Sequence, residues 1–110
     1  MCGIVAYRGT VNAAEVLIPA LKRLEYRGYD SAGLCIATGG ELFLRKDRGT
    51  ISSIEAGLTD VGGTVGVAHT RWATHGRPSR ANAHPHTDCH DRIALVHNGI
   101  IENYQRLREE

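Results

Sequence analysis

Short apolar runs punctuated by glycine, with one stretch of helical periodicity near the start, set the pattern of this chain. Residues 2–8, Cys2-Gly3-Ile4-Val5-Ala6-Tyr7-Arg8, predict a buried strand ended by Gly9. Ala14, Leu17, Ile18, Leu21 and Leu24 follow at helical spacing and form one apolar stripe. Asn12 stands where an N-cap belongs, and Glu15, three residues on, completes a capping box. Pro19 lies inside that pattern and, lacking an N–H, predicts a kink or a restart of the helix. Arg27 to Gly33 reads as a glycine-bounded loop. Leu34–Ala37 and Glu41–Lys46 then predict two strands joined by a hairpin turn at Gly39-Gly40. Residues 50–58 predict a short helix, with Thr50 or Ser52 as its cap. Gly62-Gly63 breaks the chain before a strand over Thr64–His69. A long polar loop from Thr70 to Asp91 holds Pro78, Pro85 and most of the histidines. Arg92–His97 predicts a final strand, Asn98-Gly99 a turn, and the residues from Glu102 onward a helix.

Strands as continuously apolar as Ile4-Val5-Ala6 and Ile93-Ala94-Leu95-Val96 imply a sheet covered on both faces. Few helices are present to supply that cover. The chain therefore reads as the front portion of a larger α+β domain, one domain or less in its 110 residues.

Composition narrows the function classes. A hydrophobic content of 42% and a charged content of 23% are those of an ordinary globular protein. The formal net charge of +1 gives no electrostatic reason to expect nucleic acid or an anionic membrane, and 5% aromatics leave little for base stacking. No apolar stretch approaches the roughly 20 residues of a membrane span. The opening run lacks the basic start of a signal peptide, and its glycine falls one place late for myristoylation. Three widely spaced cysteines, Cys2, Cys35 and Cys89, do not suggest a disulfide framework, so the expected location is a reducing cytoplasm.

Cys2 is the residue with the most chemistry. Removal of Met1, favoured by a small second side chain, would leave a free α-amine and a thiol on one residue. An α-amine titrates at about 7.7–8.0 and can take the thiol proton, directly or through water, to give a nucleophilic thiolate. The plainer alternative is a small apolar residue opening a strand. An amide-cleaving nucleophile also needs oxyanion donors and a grip on its substrate. Asn98 and Gly99, directly after a strand, offer a side-chain amide and a backbone N–H for the first need; a simple Asn-Gly turn is the other reading. Arg71 offers a bidentate grip on a carboxylate with Trp72 beside it as a shield; the other reading is a surface arginine next to a core tryptophan.

These segments resemble the glutaminase domain of the glutamine–fructose-6-phosphate aminotransferase (isomerizing) family, within the class II glutamine amidotransferases. The carriers are Met1-Cys2-Gly3-Ile4-Val5, Leu24-Glu25-Tyr26-Arg27-Gly28-Tyr29-Asp30-Ser31-Ala32-Gly33 and His69-Thr70-Arg71-Trp72-Ala73-Thr74-His75-Gly76. Asn82-Ala83-His84-Pro85-His86 and His97-Asn98-Gly99-Ile100-Ile101-Glu102-Asn103 add to them. The Cys-Gly-Ile start is shared across the class; the two long runs are far more specific.

The resemblance implies a four-layer αββα sandwich of N-terminal-nucleophile type, present as its N-terminal portion over residues 1–110, or 2–110 after loss of Met1. It implies that Cys2 attacks the side-chain amide of L-glutamine through a γ-glutamyl thioester. Asn98 and Gly99 would stabilise the oxyanion, and Arg27 would brace the cysteine. Arg71 would bind the α-carboxylate, with Trp72, Thr74, His75 and Gly76 in a loop closing over the amino acid. No cofactor or metal is implied. The nitrogen would pass to D-fructose 6-phosphate in a second domain, absent here, of an enzyme expected to be a homo-oligomer. The aspartate that grips the glutamine α-amine in this family also falls beyond Glu110, so the isolated piece is expected to be a poor glutaminase.

Rival readings remain. The run His84-Pro85-His86-Thr87-Asp88-Cys89-His90 packs three imidazoles and a thiol together and defines a metal-binding module as the alternative from another class, although its spacing fits no common zinc framework. A class II amidotransferase with a different acceptor is the alternative within the class. Ser31 has one residue too many around it for a Gly-x-Ser-x-Gly elbow, and Gly62-Gly63 precedes a strand where a dinucleotide fingerprint would open a helix.

Overall fold

The computed structural model describes residues 2–56, 58, 61–72 and 76–110, with the side chain of Arg27 left out. Its frame is a four-stranded antiparallel sheet in the order β1-β4-β2-β3. The strands are β1 (Gly3–Arg8), β2 (Ser31–Thr38), β3 (Glu41–Arg48) and β4 (Val65–Arg71). The β2–β3 turn has positive φ at both Gly39 (58°) and Gly40 (80°), the paired left-handed geometry that matches strand twist and favours glycine.

Helix α1 (Ala13–Arg23) lies on one face of the sheet and buries Ala13, Ala14, Leu17, Ile18 and Leu21. That stripe meets Ala32, Leu34 and Ile36 from β2 and Ala68 from β4; Ile51, Leu58 and Ile54 of the short helix α2 (Ser52–Glu55) join the same core. Each fully buried leucine or isoleucine here is worth about 1.5–3 kcal/mol relative to exposure. Strand alternation decides the rest: residues two apart share a face. The register pairs Gly3 with Thr70, Val5 with Ala68 and Ala68 with Leu34, all toward α1. Ile4, His69, Arg71 and Gly33 therefore point to the opposite face.

Several expectations need correction. Asn12 does precede the helix, but its side chain makes no capping bond. The Glu15 N–H, which that side chain would serve, donates to the Asn12 backbone carbonyl at 3.0 Å, and the Ala13 N–H donates to the Gly63 carbonyl at 2.8 Å. Pro19 does not interrupt α1 and sits on its exposed side. The expected loop over residues 27–33 is shorter. Glu25–Arg27 is a 3₁₀ turn, and β2 starts at Ser31, buried on both faces where the sequence shows only small residues. Helix α2 is preceded by Ile51, so neither Thr50 nor Ser52 caps it.

Strand β4 runs on to Arg71, two residues past its expected end. The expected strand over Arg92–His97 shrinks to β6 (Ala94–Leu95), paired with β5 (His86–Thr87) as a two-stranded ribbon. Helix α3 (Tyr104–Glu109) buries none of its residues. The fold class expected from the sequence is present in part. Helices cover one face of a sheet, and the polar segment with its small ribbon lies against part of the other.

Candidate active site

The second face of the sheet and the segment beyond residue 76 enclose a cleft of about 480 Å³. Cys2, His69, Arg71, Trp72, Asn98 and Gly99 all line it. Cys2 comes one residue before β1. The register that pairs Gly3 with Thr70 brings it to the end of β4. There the Trp72 N–H donates to Cys2 Sγ at 3.4 Å, and the Trp72 carbonyl lies 3.7 Å from the same sulfur. A backbone donor is thus aimed at the atom that carries the charge of a thiolate.

Asn98 closes the cleft from the other side. Its Nδ2 donates to the Cys2 carbonyl at 3.2 Å, and its Oδ1 lies 2.7 Å from His69 Nε2. Gly99 follows at φ 152°, and a Cβ there would come within 3.1 Å of the His97 ring. The Asn-Gly pair is therefore no hairpin turn; it carries a side-chain amide to the cysteine across 96 positions of sequence.

Arg71 is only 9% exposed. Its guanidinium donates to the Gly76 and Arg77 carbonyls, both at 3.4 Å, and so draws the following loop around itself. Asn82 Nδ2 donates to the same Arg77 carbonyl at 2.9 Å. Trp72 is 50% exposed, and its ring lies over Gly28, where a Cβ would meet it at 3.2 Å. The pairing of a surface arginine with a core tryptophan is thus reversed: the arginine is buried and the tryptophan stands at the rim. Thr74, His75 and the Arg27 side chain lie outside the described residues.

The histidines of the polar segment form part of the cleft wall. His69 stacks on His84 with centroids 4.4 Å apart and planes 28° from parallel, and His84 meets His86 edge-on at 4.4 Å. Burial, and after it neighbouring cations and imidazoles, lowers the His84 pKa from 6.5 to about 4. His69 and His86 are also shifted down, chiefly by burial. All three rings are favoured in their neutral form. This divides the seven-residue run read as a metal module. His84 and His86 turn into the cleft. Among the described residues, only Asp88, Cys89 and His90 gather ligand atoms within 4.8 Å of one another. Asp88 Oδ1 already accepts from the Arg92 and Ile93 N–H groups at 2.7 and 2.8 Å.

In the sequence His84 stood out only within the run read as a metal-binding module, and His69 had no functional role assigned. One signal was there to find: His69 and Arg71 are two apart on one strand, so a cleft that uses the arginine must also see the histidine.

No protein-family model matches the chain. It is 52% identical over its whole length to glutamine–fructose-6-phosphate aminotransferase (isomerizing) of Pyrococcus horikoshii and covers 19% of that protein. Against the proteins of the same name from Symbiobacterium thermophilum and Bacteroides thetaiotaomicron it is 56% and 55% identical, covering 18% of each. Among solved structures, glutamine phosphoribosylpyrophosphate amidotransferase from B. subtilis, complexed with ADP and GMP, superposes with a TM-score of 0.78. That match has 25% identity and covers 99% of this chain and 24% of the other. Fold and sequence together place the chain in the glutamine amidotransferases of N-terminal-nucleophile type. Within that class its sequence is similar over its whole length to the glutamine–fructose-6-phosphate aminotransferases. The chain spans 18–19% of the length of those relatives. Among the described residues no helix is long and apolar enough to cross a membrane.

Proposed function

We propose that Cys2, freed of Met1, hydrolyses the side-chain amide of L-glutamine. The observation that carries this reading is the meeting of Cys2 Sγ, Arg71 and the Asn98 amide in one cleft. The freed α-amine takes the thiol proton, and the thiolate attacks the amide carbon. The carbonyl oxygen becomes an oxyanion, for which Asn98 Nδ2 and the Gly99 N–H are the donors. Collapse of this intermediate breaks the C–N bond. The leaving nitrogen takes a proton and departs as ammonia, leaving a γ-glutamyl thioester. Water then attacks the thioester, releasing glutamate and restoring the thiol. Arg71 holds the substrate α-carboxylate, Trp72 to Gly76 fold over it, and Arg27 braces the cysteine.

The curated relatives are named for fructose 6-phosphate, and we take that sugar phosphate as the acceptor of the released nitrogen. The chain then forms the first part of the glutaminase domain of a cytoplasmic, homo-oligomeric enzyme. Receipt of ammonia by the sugar, and the grip on the glutamine α-amine, belong to portions those relatives have beyond the matched length.

An electrophilic glutamine analogue tests the reading on the natural full-length protein. Intact mass should show Met1 lost and one analogue bound, and peptide mapping should place it on Cys2. Labelling elsewhere, or full activity in protein that keeps Met1, would overturn it.

A further inference from the structure

Asn98 can serve an oxyanion only with its nitrogen, and not its oxygen, turned toward the nucleophile. The two ends of a carboxamide are nearly equal in shape, so hydrogen-bond partners must decide between them. One partner is the Cys2 carbonyl, which accepts from Nδ2 at 3.2 Å. The other is His69 Nε2, 2.7 Å from Oδ1.

His69 is well placed to decide. It is 1% exposed, so water does not compete for its ring. Nδ1 is buried, with no hydrogen-bond partner among the described residues. Asn98 Oδ1 is an acceptor and faces Nε2 at 2.7 Å, so Nε2 carries the proton. A proton on Nδ1 would bury an unpaired donor and set a lone pair of Nε2 against Oδ1. The plane of the ring is fixed as well. His84 stacks on it, and the His84 carbonyl rests against Gly33 of β2, where a Cβ would lie only 2.0 Å away.

We propose that His69 is a positioning residue: its Nε2–H donates to Asn98 Oδ1 and thereby holds Asn98 Nδ2 toward Cys2 as the oxyanion donor. This assignment rests on the amidotransferase reading above and adds to it the group that orients its side-chain donor.

A double-mutant cycle on the natural full-length protein tests it, reading kcat and KM for glutamine hydrolysis. His69→Phe should lower kcat about tenfold, the scale of one lost hydrogen bond, with KM little changed. Added to Asn98→Ala, the same change should alter kcat by less than about twofold, because its effect passes through Asn98. His69→Gln, which keeps an N–H donor at similar reach, should recover most of the loss. Additive losses, or a rise in KM as large as the fall in kcat, would overturn the assignment. If His69→Phe does not fold, nitrogen-15 spectra of histidine-labelled native protein still decide it. A neutral His69 protonated on Nε2 is the expected result, and one protonated on Nδ1 would overturn it. Retained hydrolysis in Cys2→Ala would remove the amidotransferase reading itself. An inert Cys2→Ala and a slowed Asn98→Ala, beside a failed cycle, would strike His69 alone.

Discussion

The cleft has two unlike walls. One is built on regular strands: Cys2 at the head of β1, with His69 and Arg71 on β4, all anchored by a continuous hydrogen-bonded register and the α1 core behind it. The other runs through residues 76–100, with two-residue strands as its only sheet. In and around that second wall, Ile93, Leu95 and Ile100 are more than half exposed, at 64, 53 and 57%. Burial holds the first wall. The second is held by polar and close-packed pins: Asn98 to His69 and to Cys2, Lys46 Nζ to the Ala83 carbonyl at 2.8 Å, and the His84 carbonyl on Gly33. Loss of the hydrogen bonds that orient Asn98 should therefore register in catalysis, and changes at Gly33 or Arg71 should register first in stability or substrate affinity.

The largest separation is expected at Asn98. Asn98→Ala should lower kcat by roughly 10²–10³-fold while leaving the melting temperature near that of the parent, because the residue is held by hydrogen bonds and not by a core. A loss confined to Tm would return Asn98 to a purely structural role. Gly33→Ala probes the seam between the walls. Its Cβ would fall 2.0 Å from the His84 carbonyl and 2.6 Å from Lys46 Cβ. Thermal unfolding should show a cost of about 1–3 kcal/mol or more, as for overpacked cores. An unchanged Tm would mean that the second wall does not rest on β2 there.

Arg71→Lys acts within the strand wall. It keeps the charge but loses the planar fork, so KM for glutamine should rise about tenfold with kcat less affected. An unchanged KM would remove Arg71 from the carboxylate role. A further effect is expected from pH. His84 titrates near 4 when folded, against 6.5 ordinarily, so between those values the unfolded chain binds the extra proton. Its contribution to stability is complete above about pH 6.5 and is lost as pH falls toward about 4. Tm measured across that window should decline, and less steeply in His84→Gln. Equal slopes in the two proteins would show that His84 is not the group responsible.

The strand wall was legible in the sequence, and the other wall much less so. Short apolar runs bounded by glycine, and helical spacing, identify β1, α1 and the β2–β3 hairpin. Boundaries failed where tertiary contacts override local signals. Backbone carbonyls of Gly63 and Asn12 take the first helical N–H groups of Ala13 and Glu15, and Arg71 extends β4 because Ser31 pairs with it across the sheet. Ile93 to Val96 is as apolar as β1, yet only two residues of it pair. An apolar run specifies what must be covered, but not by what. In the site, Cys2, Arg71, Asn98 and Gly99 were recognisable from residue type and neighbours. The alternation along β4 that carries Arg71 into the cleft also carries His69, whose part is visible only once Asn98 lies beside it. Ring stacking and amide orientation depend on distances between remote segments, which no local pattern records.

The sulfur meets its donor at position 72, and the backbone of the same cysteine meets Asn98, across separations of 70 and 96 residues. Closing loops of that length carries an entropic penalty that only the docked sheet can offset. During synthesis the cysteine emerges 96 residues ahead of the amide that completes its surroundings. A ribosome-bound chain thus presents a bare thiol with nothing assembled around it. The cleft exists only once both ends of this stretch have been drawn together.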